Sequence, residues 1–227
     1  MAPQRHIKII EQNINLNILT KTQVIEGTTS IRISAYSTTF YEGVMNLKLC
    51  AKQLNILSLD ISDLSMFNPL TKDNININTD DYIHKYNYPS PDTQIKVLKH
   101  NLNEKCPKST SCLSKMSIDC YEAENEGYLK IFIKFLGESV KAKVADLYKK
   151  GYNCYFTCKI NYENHQPMIG GFFKVNKDGS VCFIKENKTS YTRNIIPCLD
   201  GIDDYYKIGH VKIKVDDPEM TALTSGT

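Results

Sequence analysis

Apolar and polar positions alternate in short runs along much of this chain, and a period of two is the mark of strands with one buried face. Near the start Ile14, Leu16 and Ile18 alternate with Asn13, Asn15 and Asn17. Residues 1–22 are therefore expected to form an edge strand or a terminal arm. Ile31, Ile33 and Ala35 then alternate with Arg32, Ser34 and Tyr36, Gly43 opens the run Val44 to Leu49, and Leu54 to Asp60 follows. Three such runs at about ten-residue spacing predict an antiparallel meander. Residues 68–93 carry Pro69, Pro89 and Pro91 among Asn, Asp, Ser and Thr, which is loop chemistry. Short strands are expected within it at Tyr82 to Tyr86 and beyond it at Ile95 to Leu98. Residues 101–126 are polar around Cys106 to Cys112, so 71–127 as a whole reads as a loop-rich insertion.

Beyond that insertion Tyr128 to Phe135 predicts a strand, and one helix is expected around 138–150. Val140, Val144, Leu147 and Tyr148 recur there at three- and four-residue spacing. Lys149 and Lys150 suit the negative end of the helix dipole, and Gly151 suits the left-handed position after the last turn. Strands return at Tyr152 to Tyr162, Gly171 to Val175, Val181 to Lys185 and His210 to Asp216, with Asp178-Gly179 as a hairpin signal. The fold class is thus mostly β, with 23–227 as a single domain behind the first segment.

Composition narrows the function. The net charge is +3 with a pI near 8.3, and the lysines are dispersed, unlike the concentrated charge of a dedicated nucleic-acid binder. The N-terminus lacks the apolar core of a secretory signal, and no apolar run is long enough for a membrane helix. Eight cysteines without such a signal are expected to be reduced thiols. Cys106 with Cys112 and Cys154 with Cys158 lack the spacing of a zinc knuckle. Cys154 and Cys158 share strand parity and are expected to face one side.

Candidate chemistry is sparse. None of His6, His84, His100, His165 and His210 begins a His-Glu-x-x-His pair, in which imidazoles four apart on a helix reach one metal. There is no phosphate-binding glycine loop with Lys-Ser or Lys-Thr, and no Gly-x-Ser-x-Gly elbow. Cys198 with His210 is a weak thiol–base pairing. Asp203-Asp204 and Asp216-Asp217 are neighbours that point to opposite faces of a strand, so solvated turns explain them better. Tyr148 and Tyr191 beside basic residues fit half-buried β positions better than platforms for nucleic-acid bases. No catalytic residue, metal ligand or cofactor is expected in this segment.

Thr192-Arg193-Asn194-Ile195-Ile196-Pro197-Cys198-Leu199-Asp200 resembles the Arg-x-x-Phe-Pro-Cys-x-Asp block near the end of the N-terminal β domain of gluzincin aminopeptidases. The strand Val211 to Val215 and Met220 to Gly226 follow in the order that family uses. Gly201-Ile202-Asp203-Asp204 stands where the enzymes continue with Glu-Pro. That departure, with Gln166-Pro167 leading to Gly170-Gly171 and the turn Phe67-Asn68-Pro69, is similar to the aminopeptidase-like branch found in TFIID, TBP-associated factor two. The resemblance implies a saddle-like antiparallel β domain, incomplete relative to the family, that packs on a following catalytic-type domain. Arg193, Pro197, Cys198 and Asp200 mark the family and are expected to be structural: a buried turn with a small Cys and an Arg–Asp pairing. The implied role is a non-catalytic nuclear scaffold in RNA polymerase II transcription initiation. Its partners would be TBP, other TFIID subunits and nearby core-promoter DNA, with no membrane and no small-molecule substrate. The alternative is the N-terminal β domain of an active zinc aminopeptidase.

Overall fold

In a computed structural model the described residues are 6–87, 127–165, 172–177, 180–185, 192–199 and 207–222. Alternation becomes strands nearly everywhere it was expected. The elements are β1 (Ile7–Leu19), β2 (Val24–Ala35), β3 (Phe40–Tyr41), β4 (Val44–Cys50), β5 (Asn55–Phe67), β6 (Asn74–Asn76), β7 (Tyr82–Asn87) and β8 (Tyr128–Phe135). They continue with α1 (Glu138–Lys149), β9 (Asn153–Asn164), β10 (Phe172–Lys177), β11 (Ser180–Lys185) and β12 (Lys207–Val215). The fold is mostly β, as expected.

The strands form a six-stranded sheet in the order β12-β1-β2-β9-β5-β6, a four-stranded sheet in the order β3-β4-β8-β7, and the separate hairpin β10-β11. Every pairing is antiparallel except β1 with β12, which run parallel. In β10-β11 Lys177 pairs with Ser180 across a two-residue connection, where Asp178-Gly179 pointed. Those two residues, like the strand expected at 95–98 and most of the 71–127 insertion, lie outside the described residues.

Two expectations about pairing fail. The first strand is neither an edge nor an arm: β1 lies inside the large sheet, between β12 and β2. The runs read as a meander belong to different layers. β2 and β5 are in the large sheet, separated by β9, and β4 is in the small one. Alternation reports which face of a strand is buried and is silent about which strand lies beside it.

The two sheets meet across one core. From the large sheet come Ile9, Ile31, Ile33, Leu59, Met66, Phe156 and Ile160, and from the small sheet Met45, Leu47, Leu49, Leu129, Ile131 and Ile133. A bulge at Ile10 in β1 keeps this face consistent, because Ile9 pairs with Ile33 and Gln12 with Ile31 on either side of the extra residue. Without it Glu11 and Asn13 would turn inward. The helix packs Val144, Leu147 and Tyr148 into the same core, and Gly151, at φ +83°, follows it in the left-handed region. Tyr148 is a core residue, its hydroxyl donating to Met45 Sδ at 3.5 Å and its ring against Phe40. The turn after β5 is held by Asn68, whose Oδ1 accepts from Leu70 N at 2.9 Å and whose Nδ2 donates to Lys150 O at 3.3 Å.

Candidate functional site

The segment 192–199 closes one end of the core. A 3-10 turn at Thr192–Asn194 sets Ile195 inward, where it packs with Ile18 and Ile25 in a small second cluster. The Pro197 carbonyl accepts from Gln12 Nε2 at 2.8 Å, and the same amide reaches Thr29 Oγ1 at 2.9 Å. Asn164 Nδ2 donates to the Asn194 carbonyl. Cys198, at 0% exposure, forms an antiparallel bridge with Cys50 at the end of β4. Arg193 is half-buried, and Pro197 and Cys198 are buried. Asp200 lies outside the described residues, and the Arg193–Asp200 pairing with it.

This end of the core has an unusual polar content for its depth. Gln12, Thr29, Asn164 and Asn194 are all buried, and the partners just named satisfy the amide nitrogens of Gln12 and Asn164 and the Thr29 hydroxyl. The Tyr162 ring lies directly over Gly27, where even a methyl group would collide with it. Burial pushes the Tyr162 hydroxyl above its ordinary range. The two thiols on the same strand respond alike: burial pushes Cys154 up to about 12 and raises Cys158 as well. They face one side, as their spacing implied, Cys154 between Ala35 and Met66 and Cys158 between Ile31 and Ile61 on the neighbouring strands. Thiols held protonated in an apolar setting are packing groups rather than nucleophiles.

Cys198 and His210 are not brought together as a catalytic pair, since Cys198 is sealed inside while His210 sits on the exposed strand β12. The remaining described histidines are dispersed. His84 contacts the Leu59 carbonyl at 3.2 Å, His165 pairs with Glu163 at 2.9 Å and His6 contacts Thr38 at 3.2 Å. Among the described residues no three His, Cys, Asp or Glu side chains gather as a metal site. Asp216, read as a solvated turn residue, has a definite task. Its Oδ1 accepts from Thr20 N at 2.8 Å and from Thr20 Oγ1 at 2.7 Å, and those bonds hold its carboxyl below the usual range. The bond clasps the end of β12 to the end of β1.

The opposite face of the large sheet is polar and open. A cleft of about 560 Å³ is lined by Asn15, Asn17, Glu26, Thr28, Asn161 and Lys212, among others. Its side chains are bonded across strands: Thr28 Oγ1 to Asn161 Oδ1 at 2.8 Å, Asn161 Nδ2 to Ser58 Oγ at 2.7 Å and Asn17 Nδ2 to Glu26 Oε2 at 2.6 Å. This face offers amides, hydroxyls and both signs of charge. Its signal was present in the sequence as the outward Asn15 and Asn17, which an overall abundance of Asn disguised.

No known family model matches the sequence, and no curated protein matches it. Among solved structures the chain is similar to yeast LTA4 hydrolase in complex with bestatin, at 10% identity and a TM-score of 0.51, over 96% of this chain and 26% of that one. Native leukotriene A4 hydrolase from Saccharomyces cerevisiae aligns at 11% identity and a TM-score of 0.49, over 96% of this chain and 26% of that one. Legionella pneumophila aminopeptidase A in complex with aspartic acid aligns at 9% identity and a TM-score of 0.40, over 92% of this chain and 16% of that one. At such identity the likeness is one of fold, and it rests on the first of these. The chain spans about a quarter of the hydrolase's length. The two sheets and single helix of the described residues are the mostly β fold that this likeness covers.

Proposed function

We propose that this chain is a non-catalytic β domain that acts as a scaffold within an aminopeptidase-like protein of the TFIID branch, contributing to RNA polymerase II transcription initiation in the nucleus. The observation that carries the reading is the match of nearly the whole chain, 96%, to only 26% of yeast LTA4 hydrolase. A domain of that kind works beside others, and its contribution is a surface. The residues from Arg193 to Cys198 serve the fold, because they bond to the backbone and side chains of β1, β4 and β9. The choice of the TFIID branch rests on the sequence strings Thr192 to Asp204 and Gln166 to Phe172. Affinity purification of the tagged chain from nuclear extract is expected to recover TBP and other TFIID subunits. Recovery of neither, with the bait soluble and folded, overturns the assignment.

A second reading is favoured by the neighbour being named a hydrolase: the chain is the N-terminal β domain of an active zinc aminopeptidase. The transcript separates the two. An open frame running on from codon 227 into an intact His-Glu-x-x-His supports the enzyme, and a frame in which that motif is broken supports the scaffold.

A further inference from the structure

Strand β12 is nine residues long and ends the large sheet, whereas β6, at the sheet's other end, has three. Among the described residues only one of its edges is paired, to β1. Alternate N–H and C=O groups along the other edge point away from the sheet, the arrangement that templates a further strand. The register fixes what each face of β12 presents. Past a shift between Gln12 and Asn13, His210, Lys212 and Lys214 stand beside Asn13, Asn15 and Asn17, and Val211, Ile213 and Val215 beside Ile14, Leu16 and Ile18. The first set shares the polar outer face and the second the apolar inner face. Ile208 and Val211 are 44% and 38% exposed, so the apolar face of β12 runs out into solvent. Lys212 and Lys214 are exposed too. The ion pairs among the described residues are Lys141–Glu138, Lys150–Asp146, His165–Glu163 and Lys207–Glu11, and neither lysine takes part.

We propose that β12 is a docking edge for an extended acidic peptide of a partner protein. The peptide adds as a further antiparallel strand, its carboxylates opposite Lys212 and Lys214 and its apolar residues, alternating with them, beside Val211 and Ile213. Main-chain bonds to the open edge supply affinity, and the alternate side chains supply specificity. Charge selects this occupant over a second copy of the chain. Two β12 strands paired edge to edge would set lysine near lysine, which is unfavourable across strands, and a lysine-bearing edge resists self-association. The proposal rests on the scaffold reading, to which it adds a surface and a kind of partner.

The acidic groups of the same region are engaged elsewhere. In the row through Lys214 the sheet continues with Asn17 and then Glu26, so two strand spacings, about 10 Å, separate their backbones. Glu26 accepts from Asn17 Nδ2, Glu11 pairs with Lys207, and Asp216 accepts from Thr20. The two ammonium groups are left for a carboxylate from outside.

The test titrates the purified chain into a dye-labelled, end-blocked heptapeptide of alternating Glu and Val, read by fluorescence anisotropy, with amide exchange followed by NMR. Saturable binding is expected, with new protection of β12 amides and none in β6 or β7. A peptide of the same composition with its Glu and Val in separate blocks should bind about tenfold or more weaker, because its side chains miss their cross-strand places. N-methylation of the valines, which removes backbone donors and keeps the charge, should weaken binding as much. Lys212→Glu combined with Lys214→Glu should also cost about tenfold, with an unchanged melting temperature showing the variant folded; if it fails to fold, the two control peptides on the parent chain decide. Absence of saturable binding up to about 1 mM peptide overturns the proposal. So does equal binding of the block peptide, protection confined to other strands, or a chain that dimerises through β12 by itself. Failure here with TBP still recovered from nuclear extract removes the docking edge alone, and binding here without TBP or other TFIID subunits removes the TFIID assignment alone.

Discussion

β9 and β12 read alike in the sequence and end in opposite circumstances. In β9 the run Cys154, Phe156, Cys158, Ile160, Tyr162 alternates with polar residues, and in β12 Val211, Ile213 and Val215 alternate with His210, Lys212 and Lys214. β9 lies in the middle of the large sheet between β2 and β5, and its inward residues are at 0–1% exposure. β12 is an outer strand of the same sheet, with Ile208 at 44% and Val211 at 38%. Alternation marks both as strands with two unlike faces. Position in the sheet, set by partners far away in sequence, decides how much burial each apolar face contributes.

The sharpest test of that difference is truncation of one inward residue on each strand. Phe156→Ala removes a ring from the centre of the shared core, and by urea denaturation it should cost about 3–5 kcal/mol. Val211→Ala, its counterpart on β12, removes a side chain already partly in water and should cost less than about 1 kcal/mol. Comparable costs would mean that β12 is covered in solution, and the contrast between the strands would disappear.

Titration separates the strands in another way. Cys154 is pushed up to about 12 from 9.0 by burial, so the folded state holds a proton that the unfolded chain releases. The stability tied to that proton is complete below pH 9 and is lost as pH rises toward the folded value. At pH 10 the loss should be about 1 kcal/mol, because pH 10 lies one unit above the unfolded thiol's pKa. Cys158 and Tyr162 are raised by burial too and steepen the same limb. Cys154→Ala should flatten the fall in stability between pH 8 and pH 10, measured by urea midpoints. An unchanged slope would place the thiol in contact with water.

Most single elements were legible in the sequence. Tyr128–Phe135 and the helix were placed within one residue of their observed ends, because each has an unbroken period and a clear stop. Partners were not legible. The Gln12 side chain meets the Pro197 carbonyl across 185 residues, and nothing near Gln12 announces that a glutamine on an apolar face will be satisfied from so far away. The parallel pairing of β12 with β1 was hidden for the same reason, and it turned an expected edge strand into an interior one. The Arg193 to Cys198 string stood out by its resemblance to a known family block, whereas its partner across the bridge, Cys50, lies in an ordinary strand and only the topology reveals it.

The smallest expected effect belongs to the clasp at the end of β12. The Asp216 carboxyl is held below its ordinary 3.8, first by the Thr20 backbone N–H and then by the Thr20 hydroxyl. A lowered carboxyl contributes stability that is complete above pH 3.8 and lost as pH falls through the folded value. The group is fully exposed, so water and salt weaken the clasp, and it fixes only the strand's end. Asp216→Asn should leave the melting temperature at pH 7 within about 2 °C of the parent. Its signature is local: amide protons of β12 near Val215 should exchange faster in the variant, as they should in the parent once the carboxyl is protonated, while those of β9 stay protected. Equal acceleration in both strands would tie β12 into the same cooperative unit as the core, and the two strands would then differ in exposure alone.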